Sequence, residues 1–437
     1  MGSIAKCLYL GGLSILKNLA NISFSGERFW THFLAFSNIG ALSQGGVERP
    51  FGSKEDLEAR LYLQNACRAI GLEVQVDPIG NLWAVLPGTE KLSMIAVGSH
   101  HDSVPQGGRF DGALGVLTSL ETLHALKEGG YKNRHPLALV SFTAEEPNPF
   151  NLSTMGSRTV AGRLTKDSLI RSRDWNGRPL QEAILAVGGN LELVEQARKT
   201  SNDLGAFLEL HIEQGKRLER AQKPLAIVTG ICGIHRLDVT VIGEANHAGT
   251  TMLADRHDAF LAASEIALAF EKSLLDEHRD DLVGTIGRFE IFPNAANIIP
   301  GSARFIVEIR ASTVELMHRI ASLFQKKAQA IAKRRGVQFN ADVILDQAPE
   351  EMDKFLIAAL EDVSTKLQIP YDRLFSMAGH DATHMASFTK AGMLFVPSID
   401  GKSHCQDEES RFEDIVLAGQ VMVDAIIQMD QTLDNNS

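Results

Sequence analysis

Apolar positions three and four residues apart mark EDLEARLYLQNACRAI, residues 55–70, as one face of a helix. Gly71 stops it, and LEVQV then alternates as a strand. KLSMIAVGS, 91–99, reads as a short apolar strand. GALGVLTSLETLHALKEGG, 112–130, carries Val116, Leu120, Leu123 and Lys127 at helical spacing and closes on Gly129 and Gly130. PLALVSFTAEE, 136–146, is almost continuously apolar, the pattern of a strand buried on both faces. The last three form a β-α-β unit, which predicts a sheet that is at least partly parallel, with a right-handed crossover.

A different texture begins near residue 231. HRLDVTVIGEA alternates, DRHDAFLAASEIALAFEKSLL has helical spacing, and DLVGTIGRFEIF and SARFIVEIRA alternate again. VELMHRIASLFQKKAQAIAKRR is a long helix and VQFNADVIL a final strand. The order β-α-β-β-α-β is the split, ferredoxin-like arrangement. MDKFLIAALEDVSTKL, MLFVPSI and a helix from Arg411 to Leu433 then return to the first texture. The expected fold is α/β: a mixed, mostly parallel sheet with helices on both faces, interrupted by an inserted ferredoxin-like α+β domain. The expected boundaries are 1–230, 231–346 and 347–437. Residues 165–203 read as helical and polar, without an assigned place.

Composition narrows the function. A chain of 437 residues exceeds one compact core, and 44% hydrophobic with 22% charged residues is ordinary globular usage. A net charge of −11 argues against nucleic-acid and anionic-membrane partners, which want a basic face. Four scattered cysteines, Cys7, Cys67, Cys232 and Cys405, fit a reducing, cytoplasmic setting. KCLYLGGLSIL near the start resembles a signal peptide only faintly. Lys17 interrupts it, no cleavage-type site follows, and it is too short to span a bilayer.

Ligand-type side chains gather where strand-like runs end, which is where open α/β sheets keep their functional groups. The 91–99 run leads into His100, His101 and Asp102, with Asp111 beyond a Gly107-Gly108 turn. The 136–146 run delivers Glu145 and Glu146, AFLELHIEQG delivers His211, and MLFVPSIDGKSH delivers His404. Carboxylates mixed with imidazoles suit borderline divalent cations such as zinc, manganese, cobalt or nickel. The turn is long enough to return the Asp111 carboxylate beside His100, where it can bridge a pair of ions. Glu145 and Glu146 point apart on a strand, but a tight loop lets one bind metal while the other faces water. Asp102, two residues past His100 on an extended chain, is placed to accept the second ring N–H.

GSHHDSVPQGGRFDGALGV, AEEPNPF, LELHIEQG, GEANHAGTTM, NAANIIPG, AGHDA and VPSIDGKSH follow in order from Gly98 to His404. This series resembles the hydantoinase/carbamoylase branch of the M20 metallopeptidases, and the resemblance covers all but the first twenty or so residues. It implies a two-metal centre: His100 and His211 on one ion, Glu146 and His404 on the other, Asp111 bridging. Glu145 would be the general base that takes a proton from the attacking water and delivers it to the leaving nitrogen. The inserted domain would be a lid that also forms a homodimer, with His247 stabilising the oxyanion in the neighbouring active site. Arg310 would clamp a substrate carboxylate, Gln214 and Asn297 would add hydrogen bonds, and the Gly379-His380 backbone would close the pocket.

The implied activity is hydrolysis of the C–N bond of an N-carbamoyl or ureido acid: an N-carbamoyl-L-amino acid, allantoate, ureidoglycolate or β-ureidopropionate. The alternative is an N-acyl amino acid or amino-acid conjugate handled by the same machinery. A catalytically silent homologue is disfavoured, because every ligand and base position is filled. Three departures stand out. Pro147 and Pro149 flank Asn148 where relatives often read Glu-Glu-Gly. His101, read as structural, replaces an apolar residue. CQDEE follows His404 in place of an asparagine-proline step, with Cys405 read as a passive neighbour.

Overall fold

The computed structural model describes residues 21–433, so the apolar stretch KCLYLGGLSIL lies outside the described residues. The chain divides into two compact units. One is formed within 21–229, Met352–Leu374 and 380–433, the other by Gly230–Glu351 with Phe375–Gly379.

The first unit is built on a mixed sheet. Its strands run in the order Glu73–Val76, Leu82–Leu86, Leu137–Phe142, Met94–His100, Leu204–Ile212, Lys390–Val396 and Leu225–Ile231. The middle four strands are mutually parallel, and the flanking pairs are antiparallel. Parallel strands carry helices on both faces and bury both sides; every residue of Leu137–Phe142 is buried, as its almost continuous apolar run predicts. The four parallel strands therefore end together at one carboxyl edge.

Helix Ala113–Glu128 links two of them as the β-α-β reading requires. Its spacing predicts one apolar face, yet all residues from Ala113 to Leu123 are buried. The cause is its position between the sheet and two further helices, Gly26–Ser37 and Phe412–Thr432. The first of these, capped by the Ser25 hydroxyl, presents Phe29, Phe33 and Phe36 to the core. Each such fully buried large side chain contributes about 1.5–3 kcal/mol. Residues 165–203, left unplaced by their polar texture, form short helices over a separate apolar cluster. Leu169, Leu180, Ile184, Leu191 and Val194 close there on Phe51, Ile79 and Phe150.

The second unit is a four-stranded antiparallel sheet in the order Gln338–Gln347, Gly233–Ile242, Ser302–Ala311, Leu282–Phe292. Helices Ala259–Leu275 and Val314–Arg335 pack on it. Along Gly233–Ile242, Leu237, Val239 and Val241 point into the helix-covered core, and the residues between them do not.

Candidate active site

Because the four parallel strands finish at one edge, chain segments far apart in sequence meet there. His100 is the last residue of its strand, Glu145 and Glu146 follow Phe142, His211 is next to last in its strand, and His404 follows Val396. Asp111 returns over the Gly107-Gly108 turn to the start of helix Ala113–Glu128. Gly112 sits between this aspartate and the helix at φ +64°, and a Cβ there would lie 2.3 Å from the His100 ring. Glycine is thus required both for the left-handed backbone and for the close approach.

The two oxygens of Asp111 face different partners. Oδ1 lies 3.1 Å from His211 Nε2 and 3.7 Å from His100 Nε2. Oδ2 lies 3.0 Å from His404 Nε2, which is also 3.3 Å from Glu146 Oε1. His100, Asp111 and His211 form one compact donor set, and Asp111, Glu146 and His404 a second. Two ligands on one tetrahedral ion at zinc–nitrogen and zinc–oxygen lengths sit about 3.3–3.5 Å apart, so both sets suit such a cation. The donor chemistry agrees: the carboxylates of Asp111 and Glu146 stand beside the imidazoles of His100, His211 and His404, the mixed oxygen and nitrogen set that borderline divalent cations take.

Glu145 is in neither of these two sets, though with His100 and Glu146 it makes a third close group of donor atoms. Its Oε2 is 3.8 Å from His100 Nε2, and its side chain is 11% exposed. The preceding Ala144 has φ 54°, a left-handed turn that sends the adjacent glutamates to different tasks. Asp102 does the fixing in a way the extended-chain reading did not foresee. Its backbone carbonyl, 3.1 Å away, takes the Nδ1–H of His100, while its carboxylate lies 3.6 Å from that nitrogen. The carboxylate instead accepts the backbone N–H groups of Glu145 and Glu146, at 3.2 and 3.1 Å.

Burial dominates the electrostatics. It pushes Glu145 well above the usual carboxylate range; His100 opposes this, and the charges of Glu146, Asp381 and Asp102 add to it. Burial would raise Asp111 too, but hydrogen bonds from His211 and His404 hold it well below that range. Hydrogen bonds to Asp111 and Glu146 lift His404 to about 11.

Three acidic residues at this edge escaped the sequence reading. Glu408 is buried, and its Oε1 accepts the backbone N–H groups of Phe110 and Asp111 at 2.8 and 3.0 Å. Its Oε2 accepts the Ser403 hydroxyl, at 3.0 Å. Glu209 is buried beside His211 and accepts from Ser99 at 2.7 Å and the Ala382 N–H at 3.0 Å. Asp381 is buried and pushed well above the carboxylate range by burial and by Glu209. The available signal for Glu408 was an acidic residue four positions after His404, masked by the charged run around it. Glu408→Ala leaves two buried N–H groups without an acceptor, at about 1–3 kcal/mol each. A lower urea midpoint and a roughly 10–100-fold weaker hold on added Zn²⁺ are expected. Unchanged values of both would show that Glu408 does not position Asp111.

The remaining predicted residues are distributed as follows. Gln214 donates to Asp111 Oδ2 at 3.0 Å and to Ser403 Oγ at 3.2 Å, so it joins the donor sets directly. His380 is buried, with its ring 4.6 Å from that of His211. His101 is a buried structural link: Nε2 meets Asp56 Oδ1 at 2.8 Å and Nδ1 meets Ser141 Oγ at 2.6 Å. Cys405 is a free thiol and belongs to neither donor set. His247, Asn297, Arg310 and Gly379 belong to the second unit. There exposed His247 lies on the short strand Asn246–His247, paired with Ile298–Ile299 just after exposed Asn297, whose carbonyl accepts from Ala248 at 3.0 Å. Arg310 is oriented by Glu308 at 2.7 Å and by the Met377 carbonyl at 3.0 Å.

A sheet edge that holds two donor sets around one shared carboxylate is the setting of a metal-dependent hydrolase. The chain belongs to peptidase family M20/M25/M40, whose model matches residues 96–428. It is 33% identical over 413 residues to an N-carbamoyl-L-amino-acid amidohydrolase of a Pseudomonas species, covering 94% of this chain and all of the relative. It is 34% identical over 390 residues to a ureidoglycolate hydrolase of Arabidopsis thaliana, covering 84% of this chain and 79% of the relative. An amidase of the hydantoinase/carbamoylase family from Burkholderia multivorans superposes with a TM-score of 0.86 at 30% identity. That match covers 93% of this chain and 98% of the other.

Proposed function

We propose that this chain is a two-cation amidohydrolase that cleaves the C–N bond of a carboxylate-bearing N-carbamoyl or ureido acid. The observation that carries the proposal is the Asp111 carboxylate, whose oxygens each face a separate donor set. His100 and His211 would hold one ion, Glu146 and His404 the other. Bound divalent cations of the zinc, manganese, cobalt or nickel type supply Lewis acidity to a carbonyl and lower the pKa of a water. Glu145, free of both sets, takes the proton of the attacking water and passes it to the leaving nitrogen. Asp102 holds Glu145 and Glu146 in place through their backbone N–H groups.

The second unit is assigned as the lid and homodimer surface. Helix Ala259–Leu275 exposes Phe260, Leu261, Leu268 and Leu275, and strand Leu282–Phe292 exposes Val283, Phe289 and Phe292. Apolar exposure of this extent supports burial against a second copy. His247 Nδ1 accepts the N–H groups of Gly249 and Thr250 at 3.0 and 3.2 Å, so Nε2 carries the ring proton. A neutral N–H donor of this kind suits an oxyanion in the neighbouring subunit's site. Arg310 is the carboxylate clamp, Asn297 a further hydrogen-bonding group, and the Gly379-His380 backbone the pocket wall. Free thiols at Cys67, Cys232 and Cys405 support a reducing, cytoplasmic setting, and among the described residues no helix is long and apolar enough to cross a membrane.

The test is ammonia and amine release from metal-stripped protein resupplied with Zn²⁺, Mn²⁺, Co²⁺ or Ni²⁺. The substrate panel holds N-carbamoyl-L-amino acids, allantoate, ureidoglycolate, β-ureidopropionate and N-acyl amino acids. Metal-dependent ammonia release is expected, with the protein sedimenting as a dimer and Arg310→Met raising KM far more than it lowers kcat. Amine without ammonia would move the assignment to N-acyl amino acids. The loop after Glu146, where Pro147 and Pro149 flank a buried Asn148, keeps that reading open. Silence on every substrate would overturn both.

A further inference from the structure

From the side chains gathered at the edge of the second unit's sheet, we infer a separate binding site for one divalent transition-metal cation, formed by His235, His318 and Asp346. His235 lies on strand Gly233–Ile242, His318 on helix Val314–Arg335 and Asp346 on edge strand Gln338–Gln347. His235 Nδ1 is 3.0 Å from Asp346 Oδ1. His318 Nε2 is 3.0 Å from the same oxygen and 3.1 Å from Oδ2. All three ligand atoms lie within 4.8 Å of one another. Two imidazoles and a carboxylate are a three-ligand set for a borderline ion such as zinc.

The edge strand is built in a way that creates this cluster. From Gln338↔Ile242 to Val343↔Leu237 the two strands pair without interruption. Continued unbroken, that register would set Leu345 opposite His235. The pairing instead shifts between Val343 and Leu345, and Asp346 becomes the partner of His235. Residues directly opposite share a face of the sheet, so the bulge exchanges a leucine for a carboxylate beside the histidine. The first turns of helix Val314–Arg335 bring His318 over the same point, and the two imidazole rings stand 5.5 Å apart, inclined at 69°.

Exposure leaves room for the ion's remaining ligand. His235 is buried, whereas the side chains of His318 and Asp346 are 46% and 45% exposed, so one side of the cluster opens to water. A cation there would join the edge strand to the helix above it. The tie lies within one unit and does not depend on the amidohydrolase reading.

The test uses the full chain, stripped with a chelator, saturated with Zn²⁺, freed of unbound metal and assayed for bound metal. Wild type is expected to retain one more Zn²⁺ per chain than either His318→Gln or Asp346→Asn, and to gain more thermal stability from Zn²⁺ than either variant does. His404→Ala serves as the reference for metal lost from the first unit. The His318 change falls on a half-exposed helix position and leaves the fold intact. Equal zinc content in wild type and both variants would overturn the site. That result would reduce the cluster to a hydrogen-bonded corner, whatever His404→Ala shows.

Discussion

Glu145→Ala is expected to lower turnover by about 10²–10⁴-fold, the range lost when a positioned proton-transfer group is removed. The same variant should keep its full complement of bound cations. Two features set this expectation. Glu145 belongs to neither donor set that shares Asp111, and its carboxylate is nearly buried at the same sheet edge. Burial also raises its affinity for a proton, which suits a group that must receive one and release it within a turnover. Glu145→Gln should behave alike, since the amide keeps the shape and cannot take the proton. Metal content and kcat, measured on the same samples, decide the matter. Near-normal turnover would refute the assigned base, and loss of metal would make Glu145 a ligand.

Asp111→Asn is expected to remove both cations together, with activity falling below detection. The amide keeps one oxygen but turns an NH₂ toward either the His211 side or the His404 side. On the latter it would meet the Gln214 NH₂, which now donates to Oδ2. Donor against donor leaves a buried group unsatisfied, beyond the loss of the negative charge. The loss of cation affinity should exceed the 10–100-fold typical of a group that only supports a ligand. The sharper signature is cooperativity. His404→Ala should empty mainly one set, whereas Asp111→Asn should empty both. Retention of a full equivalent of either ion by Asp111→Asn would contradict a shared carboxylate.

The parts of this molecule that could be read from the chain are those where local pattern and tertiary burial agree. Leu137–Phe142 is apolar but for Ser141 and buried throughout, so its place in the middle of a parallel sheet was legible. Helix Ala113–Glu128 was legible as a helix but not as a buried one, because Thr118, Ser119 and Thr122 look like an outer face. The hydroxyls of Thr118 and Ser119 return to carbonyls one turn back, at 2.7 Å each, which lets polar residues face a core. The cluster beneath 165–203 was invisible, since its partners Phe51, Ile79 and Phe150 arrive from elsewhere in the chain.

The same distinction holds at the sheet edge. Strand ends identified the residues that His100, Asp111, Glu146, His211 and His404 bring together. They did not disclose Glu408, Glu209 or Asp381, whose importance rests on which backbone N–H or carboxylate lies across from them. Nor did they show that the Asp102 carboxylate serves the glutamate loop rather than the ring of His100. Sequence spacing fixes which side a residue can face; only the fold decides what stands there.

The parallel strand Lys390–Val396 lies against Leu204–Ile212, and everything between them in the chain must be made before the two can pair. His404 comes later still. On the ribosome, then, the sheet waits with one strand missing, and the second donor set does not exist until the closing stretch has emerged. Contacts of such wide sequence separation form late and slowly. Cations held by the two sets would stabilise the finished sheet more than its partly made forms. Added metal should therefore raise the stability of the finished fold by more than that of any form in which Lys390–Val396 has yet to pair.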